Sequence, residues 1–93
     1  MRRIKHSTTF RRDYRRIGSK PRYREIEALL NAVLGQLIKD EPLPESYRDH
    51  ALSGNWRGYR ECHVRPDLLL IYKKTDDGEL RLARIGSHSD LFG

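Results

Sequence analysis

Residues 57–72, RGYRECHVRPDLLLIY, decide the centre of the fold. Alternation over residues 57–64 predicts a strand with two unlike faces. One face carries Tyr59, Glu61 and His63, and the other carries Arg60, Cys62 and Val64. Pro66-Asp67 breaks this strand, and the continuous apolar run 68–72 then predicts a central strand covered on both faces. The segment therefore predicts two neighbouring antiparallel strands.

The chain beyond residue 72 predicts a third strand of the same meander. Asp77-Gly78 is typical of a hairpin turn. Residues 79–85 predict the returning strand, and Gly86 releases the chain into Ser87-His88.

The chain before residue 57 predicts a short strand and two helices. Residues 2–6 predict the strand, and Thr8 or Thr9 is expected to cap a first helix. Residues 22–39 predict a second helix, which Pro42 and Pro44 end. The apolar faces of the two helices consist of Phe10, Tyr14 and Ile17, and of Ile26, Leu29, Leu30, Val33, Leu34, Leu37 and Ile38. Gly18-Ser19-Lys20-Pro21 separates the helices, and residues 45–56 form a connection with little periodicity.

The element order β-α-α-β-β-β predicts a single α+β domain over residues 1–93. A helical hairpin is expected to pack on one face of a mainly antiparallel sheet. The other face is expected to stay open, with Tyr59 and His63 pointing toward it.

Charge is distributed unevenly along the chain, whose formal net charge is +6. Residues 1–24 carry ten Lys or Arg and one acid, whereas residues 25–93 carry nine bases and twelve acids. A concentrated basic segment favours a nucleic-acid backbone or an acidic partner. The predicted contacts with nucleic acid in this segment are Arg11, Arg12, Arg15, Arg16 and Lys20.

Composition also indicates the compartment. A single cysteine, Cys62, excludes an internal disulfide. The start of the chain has charges but no apolar stretch after them, and no run approaches the roughly 20 apolar residues of a membrane span. We therefore expect a cytoplasmic protein that does not bind membranes.

Four titratable residues lie where predicted strands begin or end: His50, His63, Asp67 and His88. His63 ends one strand and Asp67 opens the next, so connectivity places them close together. The third strand ends beside the start of the second, which brings His88 to the same edge. His50 depends on the path of the connection, which the sequence does not define.

Imidazoles near a carboxylate suit the cleavage of RNA, which supplies its own 2′-hydroxyl nucleophile. Histidine with an ordinary pKa near ~6.5 serves as acid or base at neutral pH. Arg84 or Arg60 would stabilise the phosphate, and Phe92 would stack on a base. An equally plausible role for Phe92 is to plug the core at the C-terminus.

Two other interpretations remain open at this level. Three histidines and an aspartate also suit a zinc or nickel site, although the spacing lacks a compact ligand motif. Cys62 alternates away from His63, so a buried structural cysteine is favoured over a nucleophile. The sequence thus favours a site without metal or cofactor.

The stretch 47–67 carries the pattern DH-x-L-x-G-x-W-x-GYR-x-x-HV-x-PD, and the chain ends in Leu91-Phe92-Gly93. This pattern closely resembles the YafQ family of toxins in the RelE/ParE superfamily, and the likeness covers essentially the whole chain. It implies a RelE-like fold and a toxin of a bacterial type II toxin–antitoxin pair. One departure is Leu68, where a member of the family has Trp directly after Pro-Asp, so codon preference or efficiency is expected to differ.

The resemblance also implies an activity and partners. A toxin of this family would enter the A site of the 70S ribosome and cut the mRNA there without a metal. The family's catalytic residues fall on His50, His63, Asp67 and His88, and its C-terminal aromatic falls on Phe92. The implied partner is a DinJ-like antitoxin, through which the pair would bind its operator DNA. A non-catalytic poison, as in the gyrase-targeting branch of the superfamily, and a metal-dependent hydrolase are the alternatives.

Overall fold

A computed structural model of the protein describes all residues 1–93. The elements in chain order are β1 (Arg3–His6), α1 (Thr8–Gly18), α2 (Ile26–Ile38), β2 (His50–Ala51), β3 (Arg60–Arg65), β4 (Leu68–Lys74), β5 (Glu79–Gly86) and α3 (His88–Phe92). The five strands form one sheet in the order β1-β5-β4-β3-β2. Only the β1–β5 pair is parallel. The predicted α+β class, with two main helices on a mainly antiparallel sheet, is confirmed.

The main core lies between the helical pair and one face of the sheet. Val33 and Leu37 of α2 pack there with alternate residues of the central strand, Leu68, Leu70 and Tyr72. Strand β4 is buried through its first five residues, as a strand covered on both faces should be. Burial of these side chains is the main stabilising contribution to a domain of this size.

Both main helices begin elsewhere than the sequence predicts. The cap of α1 is Ser7, whose hydroxyl accepts from the Phe10 N–H, so the prediction of Thr8 or Thr9 is wrong by one or two residues. Helix α2 begins at Ile26 instead of residue 22 because Pro21–Tyr23 forms a separate 3₁₀ turn. That turn buries Tyr23 at the end of the core.

The face predicted to be open is partly covered, which corrects the prediction. Leu91 of α3 packs against Leu69 and Ile71 on this face. The short helix was missed because five residues give no helical periodicity. Its signal is a capping box, in which Ser87 accepts from the Asp90 N–H and the Asp90 carboxylate accepts from the Ser87 N–H.

The connection 45–56 also contains structure that the sequence analysis missed. Its residues His50–Ala51 form β2, which pairs antiparallel with β3 at the edge of the sheet. Two 3₁₀ turns, Glu45–Tyr47 and Gly54–Trp56, flank this strand. None of the helices is long and apolar enough to cross a lipid bilayer.

Candidate active site

Strand pairing places the histidines of β2 and β3 on one face of the sheet. His50 lies opposite Glu61, which lies opposite Ile71. One row further along β3, His63 lies opposite Leu69, which in turn pairs with Gly86. These residues share the face that α3 partly covers, opposite the two main helices. With adjacent strands about 4.8 Å apart, the end of β5 lies roughly 10 Å from His63.

A buried carboxylate joins the two histidines. Oε1 of Glu61 lies 3.4 Å from Nε2 of His50 and 3.8 Å from Nε2 of His63. The Glu61 side chain is only 7% exposed, whereas those of His50 and His63 are 50% and 21% exposed. The connection, whose path the sequence does not define, thus brings His50 near His63, and the residue between them, Glu61, was not assigned to the site by the sequence analysis.

The other ring nitrogens of both histidines face backbone carbonyls. Nδ1 of His50 lies 2.7 Å from the carbonyl oxygen of Arg48, and Nδ1 of His63 lies 3.4 Å from that of Pro66. Arg48 has a φ of 48°, in the left-handed region that residues other than glycine rarely adopt. This conformation places the Arg48 carbonyl against the His50 ring, so each imidazole faces a carbonyl through Nδ1 and the Glu61 carboxylate through Nε2.

Asp67 is held by residues of the 3₁₀ turn that precedes α2. Its Oδ2 accepts a 2.9 Å hydrogen bond from the Tyr23 hydroxyl and lies 2.8 Å from Nη2 of Arg22. Burial, together with the hydrogen bond to Asp67, raises the pKa of Tyr23. No hydrogen bond or ion pair joins Asp67 to the histidines, so the structure places it at the same end of the sheet but in a separate group.

His88 and Phe92 form the third group, on α3. Their ring centroids lie 5.2 Å apart, as expected for residues four apart on a helix. Phe92 is 40% exposed, so it does not act as the core plug considered as its alternative. His88 follows the Ser87 cap directly and is exposed.

The helix is anchored at two points besides Leu91. Gly86 approaches it so closely that a Cβ there would lie 3.1 Å from the Cβ of Asp90. Hydrogen bonding from the Ser87 N–H lowers the pKa of Asp90, which also lies 3.6 Å from Nη2 of Arg16. His88 and Phe92 thus lie on a short helix that the sequence analysis did not predict.

The two arginines predicted to stabilise a phosphate each pair with an aspartate. Nε and Nη2 of Arg84 donate to the buried carboxylate of Asp13 at 2.8 and 3.0 Å, which raises the pKa of Arg84. Arg60 alternates to the helix side of β3, away from His63, and donates through Nε to Asp49. The pleat of β3 thus turns Arg60 away from His63, as alternation predicted, and its contact with a phosphate stays a prediction.

The predicted RNA-binding residues follow the exposed side of α1. Arg11, Arg12 and Arg15 are exposed, whereas Arg16 is half-exposed and paired with Asp13 and Asp90. Lys20 is exposed just after the helix. The basic surface therefore continues from α1 to the end of the sheet that carries Asp67 and α3.

Two alternative chemistries have little support in the geometry. Burial raises the pKa of the Cys62 thiol to about 12, so it is a structural residue and not a nucleophile. No group of three or more His, Cys, Asp or Glu side chains is arranged to hold a metal ion. The arrangement suits proton transfer and hydrogen bonding.

Sequence reasoning missed Glu61, Tyr23 and Arg22 as members of the site. The signal for Glu61 was present, because alternation placed it on the same face as His63. Tyr23 and Arg22 gave none, because only the fold brings the 3₁₀ turn to Asp67, 44 residues away.

Comparison with known proteins agrees with this fold and with the motif. The mRNA interferase toxin YafQ of Escherichia coli strain B/BL21-DE3 is 39% identical over 90 residues, which cover 97% of this chain and 95% of that protein. The strain K12 protein of the same name is 58% identical over 52 residues, 56% of this chain and 55% of that protein.

Solved structures give the same result. The E. coli DinJ–YafQ complex contains a chain that superposes with a TM-score of 0.83 at 41% identity, covering all of both chains. A copper-bound mutant toxin from Helicobacter pylori superposes with a TM-score of 0.86 at 38% identity, covering 99% of this chain and all of that one. A family model described as a bacterial toxin of type II toxin–antitoxin systems, YafQ, matches residues 2–93. This chain therefore belongs to the YafQ family of type II toxin–antitoxin toxins.

Proposed function

We propose that this toxin is an mRNA interferase: an endoribonuclease that enters the A site of the 70S ribosome and cuts the mRNA there. The observation that carries the proposal is the set of three histidines around one face of the sheet, two of them on either side of Glu61 and one beside the Phe92 ring. A non-catalytic poison would have no need of this set. The relatives named mRNA interferase toxin support the same activity.

The proposed chemistry uses the nucleophile of the substrate. A base takes the proton of the 2′-hydroxyl, the oxygen attacks the adjacent phosphate, and the 5′-oxygen leaves as it receives a proton. The products are a 2′,3′-cyclic phosphate and a 5′-hydroxyl. Since imidazoles and a carboxylate can move both protons, the reaction needs no metal.

Each group of the site has a proposed role in this reaction. His88 is the acid that protonates the leaving oxygen, and Phe92 beside it stacks on a base of the mRNA. His50, His63 and Asp67 supply or orient the base. Arg84 uses Nε and Nη2 for Asp13, which leaves Nη1 for the phosphate.

Binding to the ribosome is proposed to use the basic surface of α1. Arg11, Arg12 and Arg15 carry no side-chain ion pair and are exposed, so they are free to contact phosphates of ribosomal RNA. Neutralising Arg12 and Arg15 should weaken ribosome binding and reduce its dependence on salt, because fewer counterions are released. Unchanged affinity and salt dependence would assign this charge to another partner.

The proposed regulator is a DinJ-like antitoxin that covers this basic surface and blocks the site. The E. coli relative is solved in complex with DinJ. The pair would bind its operator DNA through the antitoxin, and the free toxin would act in the cytoplasm, where ribosomes translate.

Mapping the ends of mRNA on purified, programmed ribosomes tests the activity. We expect cleavage in the A site, a 2′,3′-cyclic phosphate product, and persistence in excess EDTA with a polyamine keeping the ribosomes intact. Activity that disappears on chelation and returns with zinc or nickel would instead establish a metal-dependent hydrolase. Growth arrest without cleavage would indicate a non-catalytic poison.

A further inference from the structure

Glu61 and Asp13 are the two buried charged residues of the protein, and only one is explained by the packing. Asp13 accepts from Nε and Nη2 of Arg84 and from the Ile85 N–H, so it fastens α1 to β5. Glu61 has no arginine, lysine or backbone N–H partner. The only groups within 4 Å that pair with it are the imidazoles of His50 and His63.

We propose that Glu61 is a positioning residue that couples His50 to His63, so that the two imidazoles act as one unit in the active site. The geometric basis is that one oxygen, Oε1, faces Nε2 of both rings. The catalytic consequence rests on the proposed ribonuclease function, whereas the coupling itself does not.

The contacts of each ring indicate which of its nitrogens can donate a hydrogen bond. Nδ1 of both rings faces a backbone carbonyl, and Nε2 of both faces the carboxylate. Carbonyl oxygens only accept hydrogen bonds and a neutral imidazole carries one N–H, so a ring that donates through Nδ1 to its carbonyl can donate through Nε2 as well only when it is protonated. A proton that an imidazole releases or gains at Nε2 therefore changes its electrostatic interaction with Oε1 of Glu61, and through this shared oxygen the interaction with the other ring.

No lysine or arginine near Glu61 takes the place of the two imidazoles. Ile71 lies opposite it on β4, and Tyr59 precedes it on the same face of β3. Lys73, the cationic residue of β4 on that face, lies over the Tyr59 ring and makes no ion pair with Glu61. Asp49 and Arg60 pair with each other on the opposite face of the sheet. The imidazoles are therefore the cationic partners available to this largely buried carboxylate, and both lie within 4 Å of the same oxygen.

A double-mutant cycle read by imidazole ¹⁵N NMR tests the coupling without any activity. His50→Ala should change the ring signals and tautomer balance of His63 when residue 61 is Glu. In the Glu61→Leu background, which keeps the bulk and removes the oxygens, the same substitution should leave His63 unchanged. Glu61→Gln repeats the cycle in case Leu prevents folding, and Glu27→Leu, an exposed site on α2, is the control.

The possible outcomes distinguish a failure of the Glu61 coupling from a failure of the proposed ribonuclease function. Equal changes of His63 in both backgrounds, or none in either, would overturn the coupling whether or not the protein cleaves RNA. If it cleaves, Glu61→Gln should lower kcat by ~10–100-fold with KM little changed, as loss of a group that orients a catalytic imidazole does. Coupling confirmed by NMR with unchanged kcat would overturn the positioning role, and absence of cleavage by the unmodified toxin would refute only the function.

Discussion

A methyl group added at Gly86 should move the C-terminal helix. We expect this to lower the rate of cleavage much more than the free energy of unfolding. The Cβ of Gly86→Ala would lie 3.1 Å from the Cβ of Asp90 and 3.3 Å from Cδ2 of Leu91. Both contacts are tighter than ordinary van der Waals packing, so Asp90 and Leu91 must give by a few tenths of an ångström, and we expect α3 to move outward with them. Because α3 carries His88 and Phe92, both would be displaced from the substrate.

The cost in stability should be moderate because α3 is short and terminal. Overpacking typically costs ~1–3 kcal/mol, and we expect the lower half of that range here. Urea unfolding measures this cost. Single-turnover cleavage on ribosomes should show a larger effect, a loss of ~10-fold or more in rate, because a small misplacement of a catalytic group lowers the rate strongly.

Gly35→Ala is the matched control, because nothing lies within 4 Å of a Cβ at this position of α2. It should stabilise the protein by ~0.5–1 kcal/mol, as replacement of a helical glycine does, and leave cleavage unchanged. If Gly86→Ala cleaves at the normal rate with unchanged stability, α3 does not need its present position and the argument fails.

Two further predictions concern buried polar contacts. Burial and a hydrogen bond to Asp49 raise the pKa of Tyr72, so its stabilising contribution is complete below the unfolded-state pKa of about 10 and is lost as the pH rises above it. Tyr72→Phe should make the alkaline decline in unfolding free energy shallower, whereas Tyr47→Phe should not; equal slopes would contradict this. Asp13→Ala removes the partner of Arg84 and should lower the unfolding free energy by ~2–4 kcal/mol in urea, and a loss below ~1 kcal/mol would show that the pair does not fasten α1 to β5.

The sequence was sufficient for the sheet and the helical pair because their patterns are long. Seven apolar residues at helical spacing predict α2, and the run 68–72 predicts a buried strand whatever surrounds it. Boundaries were less certain because they depend on single contacts. Ser7, and not Thr8 or Thr9, caps α1 because its hydroxyl reaches the Phe10 N–H. Residues 22–25 precede α2 because Pro21 opens a 3₁₀ turn.

The sequence predicted only those features of the site that follow from strand connectivity and from the alternation of side chains along a strand. His63 and Glu61 share a face by the pleat of β3, but the burial of Glu61 between two imidazoles depends on the pairing of β2, a strand of two residues. Arg60 was assigned to substrate although alternation placed it on the face away from His63. The hydrogen bond from the Tyr23 hydroxyl to Asp67 arises only from tertiary packing.

Single-turnover cleavage by His88→Ala on programmed ribosomes tests the central claim most directly. The account predicts a loss of ~10²–10⁴-fold, as for removal of a general acid, with antitoxin binding and unfolding free energy unchanged. His6→Ala, a change at an exposed histidine outside the site, should cleave normally. A loss of less than tenfold for His88→Ala would contradict the role of His88 as the acid and with it the proposed mechanism.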